Sequence, residues 1–453
     1  MCDIVLTPMQ ASKSLFIAMK ILLSLTPLIL FQFFSLVQGL NPKCDVQDDH
    51  GSSLQVFHVL SPCSPFKPSN PLSWEDSVLH LQAKDQVRLQ SLASLVDDRS
   101  IVPTAPGRKI IHSPTYMVRA KIGNPAQTLL MAIDNSNDAS WIPCTGCEGC
   151  SSTLFVPHKS PTFKNISCYA AECKQIPNPT CGDSGCAFNL TYGNSSIEAD
   201  LVQDTITLAS DPLPDYTFAC ITKTNGTSTP PQGLLGLGRG PLSLLSQTQN
   251  LYKFTFSYCL PNIKSLNFSG SLTLGPSALP KDIKFTPLLK NPRRSSLYYV
   301  NLFAIRVGNI TVDIPPPALA FNRTTGAGTI FDSGTVYTRL AEPVYDAVRD
   351  EFRRQVGAKD IVTSRGGFDT CYTVPIVAPT ITFLFEGMNV TLPHDNALIH
   401  NDDGSITCLA MASWAPDNVN SVLNVIANLQ QQNYRVLYDV PNSRIGISPE
   451  LCS

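Results

Sequence analysis

The amino-acid sequence predicts an all-β protein made of two antiparallel β lobes around a central cleft, with few short helices. After Lys109 the chain consists of short Val-, Ile-, Thr- and Phe-rich runs separated by Pro, Gly and Asn, which is typical of strands and turns. This part is too long for one β core, which favours two lobes. Two similar strand-to-aspartate segments, at residues 129–142 and 326–335, also indicate a repeated unit. The clearest helix expected after Lys109 covers residues 342–356.

The first element of the chain is an apolar segment at residues 21–37, preceded by Lys13 and Lys20 and followed by Gly39. A basic start, an apolar centre and a small residue at the exit are typical of a secretory signal peptide. We therefore expect residues 1–39 to be removed. A retained membrane anchor is the alternative, but polar residues interrupt the apolar run and its length is marginal for a membrane span. No later segment has the length and apolar character of a span, so we expect no membrane association after signal removal.

The composition agrees with export. The chain has 15 cysteines, and without Cys2 an even number remains, which in an exported protein indicates disulfides. Charged residues make up 15% of the chain and the net charge is −2, so we expect no nucleic-acid partner. Asn-x-Ser/Thr sequons predict a glycoprotein. They begin at Asn165, Asn189, Asn194, Asn225, Asn267, Asn309, Asn322 and Asn389.

Residues 40–107 differ in composition from the rest and are predicted to form a propeptide. Within them, residues 73–96 carry apolar side chains at helical spacing. Ser73 and Asp76 have the spacing of an N-terminal capping pair. The segment therefore predicts an amphipathic helix in front of the first lobe.

Two basic residues of this helix, Lys84 and Arg88, suit a position over a cleft lined by carboxylates. A plain N-terminal helix docked on the surface is the alternative interpretation. The linker that follows the helix is rich in Pro and Gly and suits proteolytic cleavage. We expect the extracellular form to begin between residues 97 and 111, as in a processed zymogen.

Asp134 and Asp332 are the candidate catalytic residues, 198 positions apart. Two facing carboxylates cannot both ionise readily, so the pair holds one proton over a wide acidic range. The ionised member can take a proton from a water, while the protonated member hydrogen-bonds the carbonyl oxygen under attack. This chemistry hydrolyses an amide without a covalent intermediate, and it requires no cofactor.

Other motifs carry less information. Cys144, Cys147 and Cys150 have a spacing that also suits metal ligands, but an oxidising compartment favours disulfides, and His158 lacks a second His at a suitable distance. We therefore predict no metal site. The glycine-rich residues 233–247 lack the ending of a phosphate-binding loop. No G-x-S-x-G motif occurs, so a serine hydrolase is unsupported.

The chain after Ile110 resembles the pepsin-fold aspartic proteases, in particular their plant nepenthesin-like branch. The resemblance rests on the cysteine-rich insertion at residues 144–186, Tyr192-Gly193, the glycine-rich residues 233–247, the Phe-Asp-Ser-Gly-Thr motif at 331–335 and the sequence of residues 424–447. Within that branch the chain is most similar to the secreted, apoplastic aspartyl proteases of the defence-associated group. The resemblance implies an extracellular location in the apoplast, with the vacuole as the alternative.

The resemblance also implies a pepsin-like bilobal fold, with lobes at residues 108–285 and 286–453. It implies that Asp134 and Asp332 form the catalytic dyad of a monomer that acts on polypeptides. Substrate-binding roles are implied for Tyr192 and Gly193 in a flap hairpin, and for Gly334 and Thr335. The disulfides implied by the family are Cys144–Cys147, Cys150–Cys220, Cys168–Cys186, Cys173–Cys181, Cys259–Cys452 and Cys371–Cys408.

One motif departs from the family. The first aspartate is followed by Asn135, Ser136 and Asn137, where the family usually has Thr or Ser, then Gly, then Ser. The hydroxyl after each aspartate helps to tie the lobes together in the family, and Asn135 offers a longer amide instead. Ser136 replaces a glycine, so its Cβ is expected to cause strain. The sequence predicts an aspartic endopeptidase active at acidic pH. The alternative is a catalytically weak or inactive homologue that binds a protein or a glycan.

Overall fold

The computed structural model describes residues 51–62, 64–67, 72–96, 116–150, 153–176, 178–182, 185–192, 195–226, 229–262, 270–292, 294–357, 362–401, 403–414 and 422–452. All of them belong to one compact unit, Val46–Ser453. The predicted signal peptide, the predicted cleavage linker and Gly193 lie outside the described residues.

The strands are, in chain order, β1 (Ser53–His58), β2 (Tyr116–Ile122), β3 (Gln127–Asp134), β4 (Trp141–Glu148), β5 (Lys164–Asn165), β6 (Thr180–Gly182), β7 (Gly185–Tyr192), β8 (Ser195–Leu208), β9 (Asp211–Asn225), β10 (Leu234–Gly236), β11 (Thr255–Cys259), β12 (Gly270–Leu274), β13 (Lys284–Leu289), β14 (Tyr298–Val300), β15 (Leu302–Val307), β16 (Ile310–Thr311), β17 (Gly328–Phe331), β18 (Thr338–Leu340), β19 (Val362–Arg365), β20 (Phe368–Tyr372), β21 (Ile381–Phe385), β22 (Met388–Thr391), β23 (Leu398–His400), β24 (Thr407–Leu409), β25 (Met411–Ser413), β26 (Leu423–Ile426), β27 (Tyr434–Asp439) and β28 (Arg444–Pro449).

The helices are α1 (Trp74–Val96), α2 (Leu244–Gln247), α3 (Gln249–Tyr252), α4 (Pro316–Leu319), α5 (Glu342–Val356), α6 (His394–Ala397) and α7 (Asn428–Gln431), with 3-10 turns at Pro157–Lys159 and Cys173–Gln175. The predicted fold class is confirmed, since strands dominate and the helices other than α1 and α5 have four residues each. Among the described residues, no helix combines the length and apolar character needed to cross a membrane.

One antiparallel sheet joins the two halves of the chain. Its strand order is β1, β12, β11, β27, β28 and β13. Strand β11 comes from the first half and pairs with β27 from the second over five residues. Because this ladder is continuous, the backbone of each half supports the other beneath the cleft.

Each half places the same arrangement of strands beside its aspartate. In the first half, β10 is parallel to β3 and antiparallel to β4. In the second half, β26 is parallel to β17 and antiparallel to β18. Strand β3 ends at Asp134, and β17 ends one residue before Asp332. This internal repeat is the structural counterpart of the two similar strand-to-aspartate segments.

The segment predicted as a propeptide contributes both a strand and a helix. Strand β1, which the sequence analysis did not predict, pairs with β12 and, through Phe57 and His58, with β2. Helix α1 begins after Ser73, whose Oγ accepts a hydrogen bond of 3.1 Å from the backbone N of Asp76 and donates one of 2.7 Å to its carboxylate. The predicted capping pair therefore forms, and the predicted helix agrees with α1 to within one residue.

The disulfide pattern differs in part from the prediction. Cys259–Cys452 and Cys371–Cys408 form as expected. The other pairs are Cys144–Cys220, Cys147–Cys150, Cys168–Cys181 and Cys173–Cys186. The predicted pairs Cys144–Cys147, Cys150–Cys220, Cys168–Cys186 and Cys173–Cys181 are therefore wrong.

Strand neighbours and burial explain the observed pairs. Cys144 and Cys220 are both buried on the parallel strands β4 and β9, with Cα atoms 5.6 Å apart. Cys173 and Cys186 are buried in the same apolar cluster, whereas Cys181 is exposed. Each buried cysteine thus pairs with another buried one, which spacing along the sequence does not reveal.

We expect replacement of both Cys144 and Cys220 by Ala to lower the free energy of unfolding by about 4 kcal/mol, because this bond spans 76 residues. Replacement of both Cys147 and Cys150, which are three residues apart, is the matched control, with an expected loss below about 2 kcal/mol. Denaturant unfolding of the secreted proteins measures both losses. Equal losses, or none for the first variant, would contradict the observed pairing.

Candidate active site

Two strand ends bring Asp134 and Asp332 together at the centre of the cleft. Both side chains are fully buried. The backbone carbonyl of Asp134 accepts a hydrogen bond of 2.8 Å from Leu237 N, just after β10. The backbone N of Asp332 donates one of 3.1 Å to the carbonyl of Ile426, the last residue of β26. The repeated strand arrangement thus fixes the backbone of both aspartates in similar ways.

The residues after each aspartate orient its carboxylate. Oδ1 of Asp134 accepts hydrogen bonds from the backbone N of Ser136 at 2.9 Å and from its Oγ at 3.0 Å. Oδ2 of Asp332 accepts hydrogen bonds from the backbone N of Thr335 at 2.8 Å and from its Oγ1. Ser136 does not adopt a positive φ, so its backbone conformation does not require the glycine that the family usually has here.

Asn135 ties the two lobes together. Its Oδ1 accepts a hydrogen bond of 2.9 Å from Ser333 N, and its own backbone N donates one of 3.2 Å to Ser333 Oγ. Its Nδ2 donates to the carbonyl of Phe331 at 3.1 Å. The amide therefore accepts and donates across the lobes as a hydroxyl does, and the unusual first motif keeps a complete tie.

The amide of Asn135 also reaches a partner in the joining sheet. Nδ2 donates a hydrogen bond of 3.0 Å to the hydroxyl of Tyr438, which lies 2.7 Å from the hydroxyl of Tyr258. Tyr258 donates to Gln431, whose Nε2 donates to the carbonyl of Asp332 at 3.2 Å. A chain of buried hydrogen bonds thus links the side chain of Asn135, next to the first aspartate, to the backbone carbonyl of the second aspartate.

Replacement of Asn135 by Thr is expected to lower the free energy of unfolding by about 1–2 kcal/mol, because a hydroxyl can serve Ser333 but is too short to reach Tyr438. Thermal or denaturant unfolding measures the loss. Asn301→Thr is the control, since the Asn301 amide donates to the carboxylate of Glu386 at an exposed position and its replacement should cost less than about 0.5 kcal/mol. An Asn135→Thr protein as stable as the control would show that the bond to Tyr438 contributes nothing.

Arg88 of helix α1 lies on both carboxylates. Its Nη1 and Nη2 donate to Oδ2 and Oδ1 of Asp134, each at 2.7 Å. Its Nε and Nη2 donate to Oδ2 and Oδ1 of Asp332 at 2.8 and 2.7 Å. Nη2 also donates to Ser136 Oγ at 2.7 Å. One guanidinium thus contacts all four carboxylate oxygens, and only 11% of the Arg88 side chain is exposed.

The predicted substrate-binding residues fall into two groups. Thr335 orients the Asp332 carboxylate, and Gly334 lies against the guanidinium of Arg88, so that an added Cβ would be 2.2 Å from Arg88 Cζ. Tyr192 ends β7, which pairs with β8 in a hairpin, but the side chain of Tyr192 and all of Gly193 lie outside the described residues. The side chain of Lys84, the second basic residue predicted over the cleft, also lies outside them.

Helix α1 has further contacts with the second lobe. The Asp85 carboxylate accepts hydrogen bonds from the backbone N of Val336 at 2.7 Å and of Tyr337 at 2.8 Å. Gln82 Oε1 accepts one from Arg339 Nη2. Apolar residues of the helix pack on either side of Arg88. They are Val78 and Leu81, beside Val336, Tyr337 and Phe368, and Leu89 and Leu92, beside Tyr299, Ile330 and Trp414.

The docking of helix α1 depends on pH through two carboxylates, Asp134 in the cleft and Asp85 on the helix. Their pKa values are shifted in opposite directions. Burial by itself would raise the pKa of Asp134, but the charge and hydrogen bonds of Arg88 and the bonds from Ser136 outweigh it, so this pKa lies below its ordinary value. Docking through Asp134 is therefore strongest when the carboxylate is ionised, and this contribution is lost as the pH falls. Burial raises the pKa of Asp85 to about 6, although Arg339 and the two amides act the other way. Between its ordinary pKa of 3.8 and the raised value of about 6, Asp85 therefore takes up a proton on docking, and its contribution to docking grows as the pH falls through this range.

The sequence analysis anticipated Arg88 but missed Asp85, Gln82 and Arg339. Asp85 and Gln82 precede Arg88 by three and six residues, so all three lie on one face of helix α1. That spacing is a signal, because a charged residue on the apolar face of a helix requires a partner. The sequence alone does not identify the partner.

Two protein-family profiles match this chain, one in each half. The family profile described as Xylanase inhibitor N-terminal matches residues 116–276. The profile described as Xylanase inhibitor C-terminal matches residues 297–449. Together they cover more than half of the chain and most of the described residues after helix α1.

Three relatives illustrate the sequence similarity. The chain is 49% identical over 419 residues to Aspartyl protease AED3 of Arabidopsis thaliana, covering 89% of this chain and 93% of that protein. It is 44% identical over 427 residues to Aspartyl protease 25 of Oryza sativa subsp. japonica, covering 89% and 95%. It is 33% identical over 378 residues to the aspartic proteinase nepenthesin-1 of Nepenthes gracilis, covering 81% and 84%.

Solved structures share the fold. The crystal structure of edgp matches with a TM-score of 0.61 at 21% identity, covering 74% of this chain and 92% of that chain. Basic 7S globulin from soybean matches with a TM-score of 0.59 at 20% identity, with the same coverage. The paired profiles, the extended similarity to named aspartyl proteases and the shared two-lobed architecture agree. The chain therefore belongs to the plant branch of the pepsin-like aspartyl protease family.

Proposed function

We propose that this chain is the precursor of a secreted aspartic endopeptidase, which hydrolyses peptide bonds at acidic pH through Asp134, Asp332 and an activated water. The observation that supports this most strongly is the contact of one guanidinium with all four oxygens of the two carboxylates. Because Nη2 alone contacts Oδ1 of both aspartates, these two oxygens lie close together, as a pair that shares one proton requires.

Once Arg88 leaves, the two buried carboxylates lose their counter-charge and share one proton, the coupled titration for which aspartic proteases are the standard example. The ionised carboxylate then takes a proton from the water that attacks the peptide carbon. The protonated carboxyl donates a hydrogen bond to the carbonyl oxygen. Ser136 and Thr335 hold the carboxylates in a fixed rotation, so little reorganisation accompanies the reaction.

The N-terminal segment supplies the control of this activity. In the proposal, residues 1–39 direct secretion to the apoplast or the vacuole, residues 40–107 form the inhibitory propeptide, and residues 108–285 and 286–453 form the catalytic lobes. Arg88 at the dyad and the burial of helix α1 in the cleft support an inhibitory role, because substrate and helix cannot occupy the same space. In the proposal, Tyr192, which ends β7, binds the polypeptide substrate together with Gly193, Gly334 and Thr335.

The purified secreted protein, incubated at acidic pH, is expected to cleave denatured globin, with activity that falls towards neutral pH as the second carboxyl ionises. Pepstatin, which mimics the transition state at such dyads, should inhibit it. Terminal sequencing in the same experiment should find a new N-terminus between residues 97 and 111. Globin that remains intact over the acidic range, with the N-terminal segment removed, would contradict the proposal.

A second function is suggested by the names of the matching profiles, which refer to xylanase inhibitors. Under this alternative, the cleft of this protein has no catalytic activity and its surface binds another protein or a glycan. The complete tie made by Asn135 favours catalysis, because the unusual motif does not disturb the geometry of the dyad. A processed protein that binds and inhibits a xylanase but leaves globin intact would establish the alternative.

A further inference from the structure

We propose that N-glycans on Asn309 and Asn389 shield a four-stranded sheet of the second lobe from contact with other protein chains. The strand order of this sheet is β16, β15, β21 and β22. The inference rests on the secretory route of the proposed function, because N-glycans are added to exported proteins. It gives two of the eight sequons a role, which is to keep the secreted protein monomeric.

The inner face of this sheet packs against the core. Phe383 of β21 belongs to a buried apolar cluster that also contains Phe352 of helix α5. Successive side chains along a strand point to opposite faces, so the neighbouring Leu384 belongs to the outer face. Leu384 lies opposite Ala304 on one side and opposite Asn389 on the other. Asn389 is exposed, so a glycan attached to it lies on the outer face, next to Leu384.

Two large apolar side chains are exposed in this sheet. Phe303 of β15 is 57% exposed, at a position where the register between β15 and β21 shifts, as in a β-bulge. Ile310 of β16 is 47% exposed. Apolar side chains on or beside an exposed edge strand favour pairing with a strand of another chain. A secreted protein therefore stays monomeric more readily when this place is covered.

Both edge strands of the sheet carry a sequon. Strand β16 consists of Ile310 and Thr311, the second and third residues of the Asn309 sequon, and β22 contains the whole Asn389 sequon. Both asparagines are exposed, and so are the hydroxyl residues Thr311 and Thr391. An edge strand presents unpaired N–H and C=O groups, to which a strand of another chain can add. A bulky, hydrophilic glycan on each edge prevents this addition.

The two glycans also lie within reach of the exposed apolar side chains. Ile310 follows Asn309 directly in the chain. Phe303 lies on β15, two strands away from Asn389 on β22, which corresponds to about 10 Å at the usual strand spacing. A glycan of several sugars is longer than this distance. The glycans can therefore cover Phe303 and Ile310 as well as the two edges.

Strand β5 of the first half has the same feature. Among the described strands, β8 is its only partner, so β5 is also an edge strand. It ends at Asn165, which is exposed and begins another sequon. A sequon at an edge strand thus occurs in both halves of the chain.

A second four-stranded sheet of the same lobe provides the contrast. Its strand order is β19, β20, β24 and β23, and none of the eight sequons falls in these strands. Phe368 and Cys408 of this sheet belong to the apolar cluster that contains Val78 and Leu81 of helix α1. The sheet that packs against another part of the protein thus carries no sequon, whereas the sheet with exposed apolar side chains carries two.

The test uses the full-length chain secreted by a eukaryotic host. Glycopeptide mass spectrometry should find glycans on Asn309 and Asn389. The double variant Asn309→Gln with Asn389→Gln removes both sequons but keeps an amide at each position. At equal protein concentration, we expect its monomer fraction in size-exclusion chromatography to be about threefold lower than that of the wild type.

The matched control is Thr311→Ser with Thr391→Ser, which changes the same two edge strands but keeps both sequons. It should be as monomeric as the wild type. Adding Phe303→Gln and Ile310→Gln to the variant without these glycans should restore the monomer, because the exposed apolar side chains are then removed. A general loss of stability would not be corrected in this way.

Two results would overturn the shield. One is the presence of glycans at other sequons but not on Asn309 and Asn389, and the other is a monomer fraction that Asn309→Gln with Asn389→Gln leaves unchanged. A secreted chain without a glycan at any sequon would overturn the inference together with the secretory route. Failure of the wild type to cleave peptides would overturn the proposed catalysis alone, since neither mass spectrometry nor chromatography depends on cleavage.

Discussion

Replacement of Arg88 by Met is expected to make the full-length chain cleave peptides at acidic pH without a lag for processing. The wild-type guanidinium makes charge-assisted hydrogen bonds to all four oxygens of Asp134 and Asp332. Methionine keeps much of the apolar stem but leaves the two buried carboxylates without a counter-charge. Loss of one partner from such a buried ion pair costs about 3–5 kcal/mol. Helix α1 should therefore bind the cleft at least about 100-fold more weakly.

The measurement is the initial rate of cleavage of a small fluorogenic peptide by intact protein, with chain length followed by gel or mass spectrometry. Arg354→Met is the matched control, because Arg354 is an exposed arginine paired with Glu351 on helix α5. It should behave as wild type. An Arg88→Met protein that keeps the wild-type lag would mean that the apolar contacts of helix α1, rather than the charge at the dyad, block the cleft.

Replacement of Asp332 by Asn should abolish peptide cleavage, with a fall in kcat of about 10⁴-fold. The side chain keeps its size and can still accept one hydrogen bond from Thr335, but the pair can no longer share one proton between two carboxylates. The same loss is expected for Asp134. In this case Ala is the cleaner replacement, because Asn at 134 would create an Asn-Asn-Ser sequon with Asn135 and Ser136.

These variants are compared after removal of the N-terminal segment by an added protease, so that failure to process is not mistaken for failure to cleave. Asp313→Asn, which changes an exposed carboxylate of the second lobe, is the control and should keep full activity. Secreted amounts should match wild type for all of them. Cleavage by Asp332→Asn at the wild-type rate would assign the activity to a contaminant.

Much of the fold could be predicted because local patterns determine it. Helix α5 covers the residues expected for it, and helix α1 begins one residue after its capping serine. Asp134 and Asp332 stood out because each follows an apolar strand and precedes a turn. Strand β1 was missed because its apolar alternation is short, and its partner β12 lies more than 200 residues away.

The rest depended on contacts between distant residues. The cysteine pairs follow from which strands are neighbours, and four of the six differ from the family pattern. Asn135 looked unfavourable in the sequence because its partner Tyr438 lies 303 positions away. Asp85 and Arg339 gave no motif at all, since their roles appear only when helix α1 lies in the cleft.

A pH jump on the intact chain tests most directly the claim that Arg88 masks a catalytic pair. The protein is moved from pH 7 to pH 4, and cleavage of a small fluorogenic peptide is followed together with the length of the chain. Before any cut in the chain is detectable we expect little cleavage, because Arg88 holds the pKa of Asp134 below its ordinary value and so stays bound to the pair at pH 4. Pepstatin-sensitive cleavage should appear as the N-terminal segment is removed. Full activity of the uncut chain at pH 4, or no activity at pH 4 even after the N-terminal segment is removed, would contradict the claim.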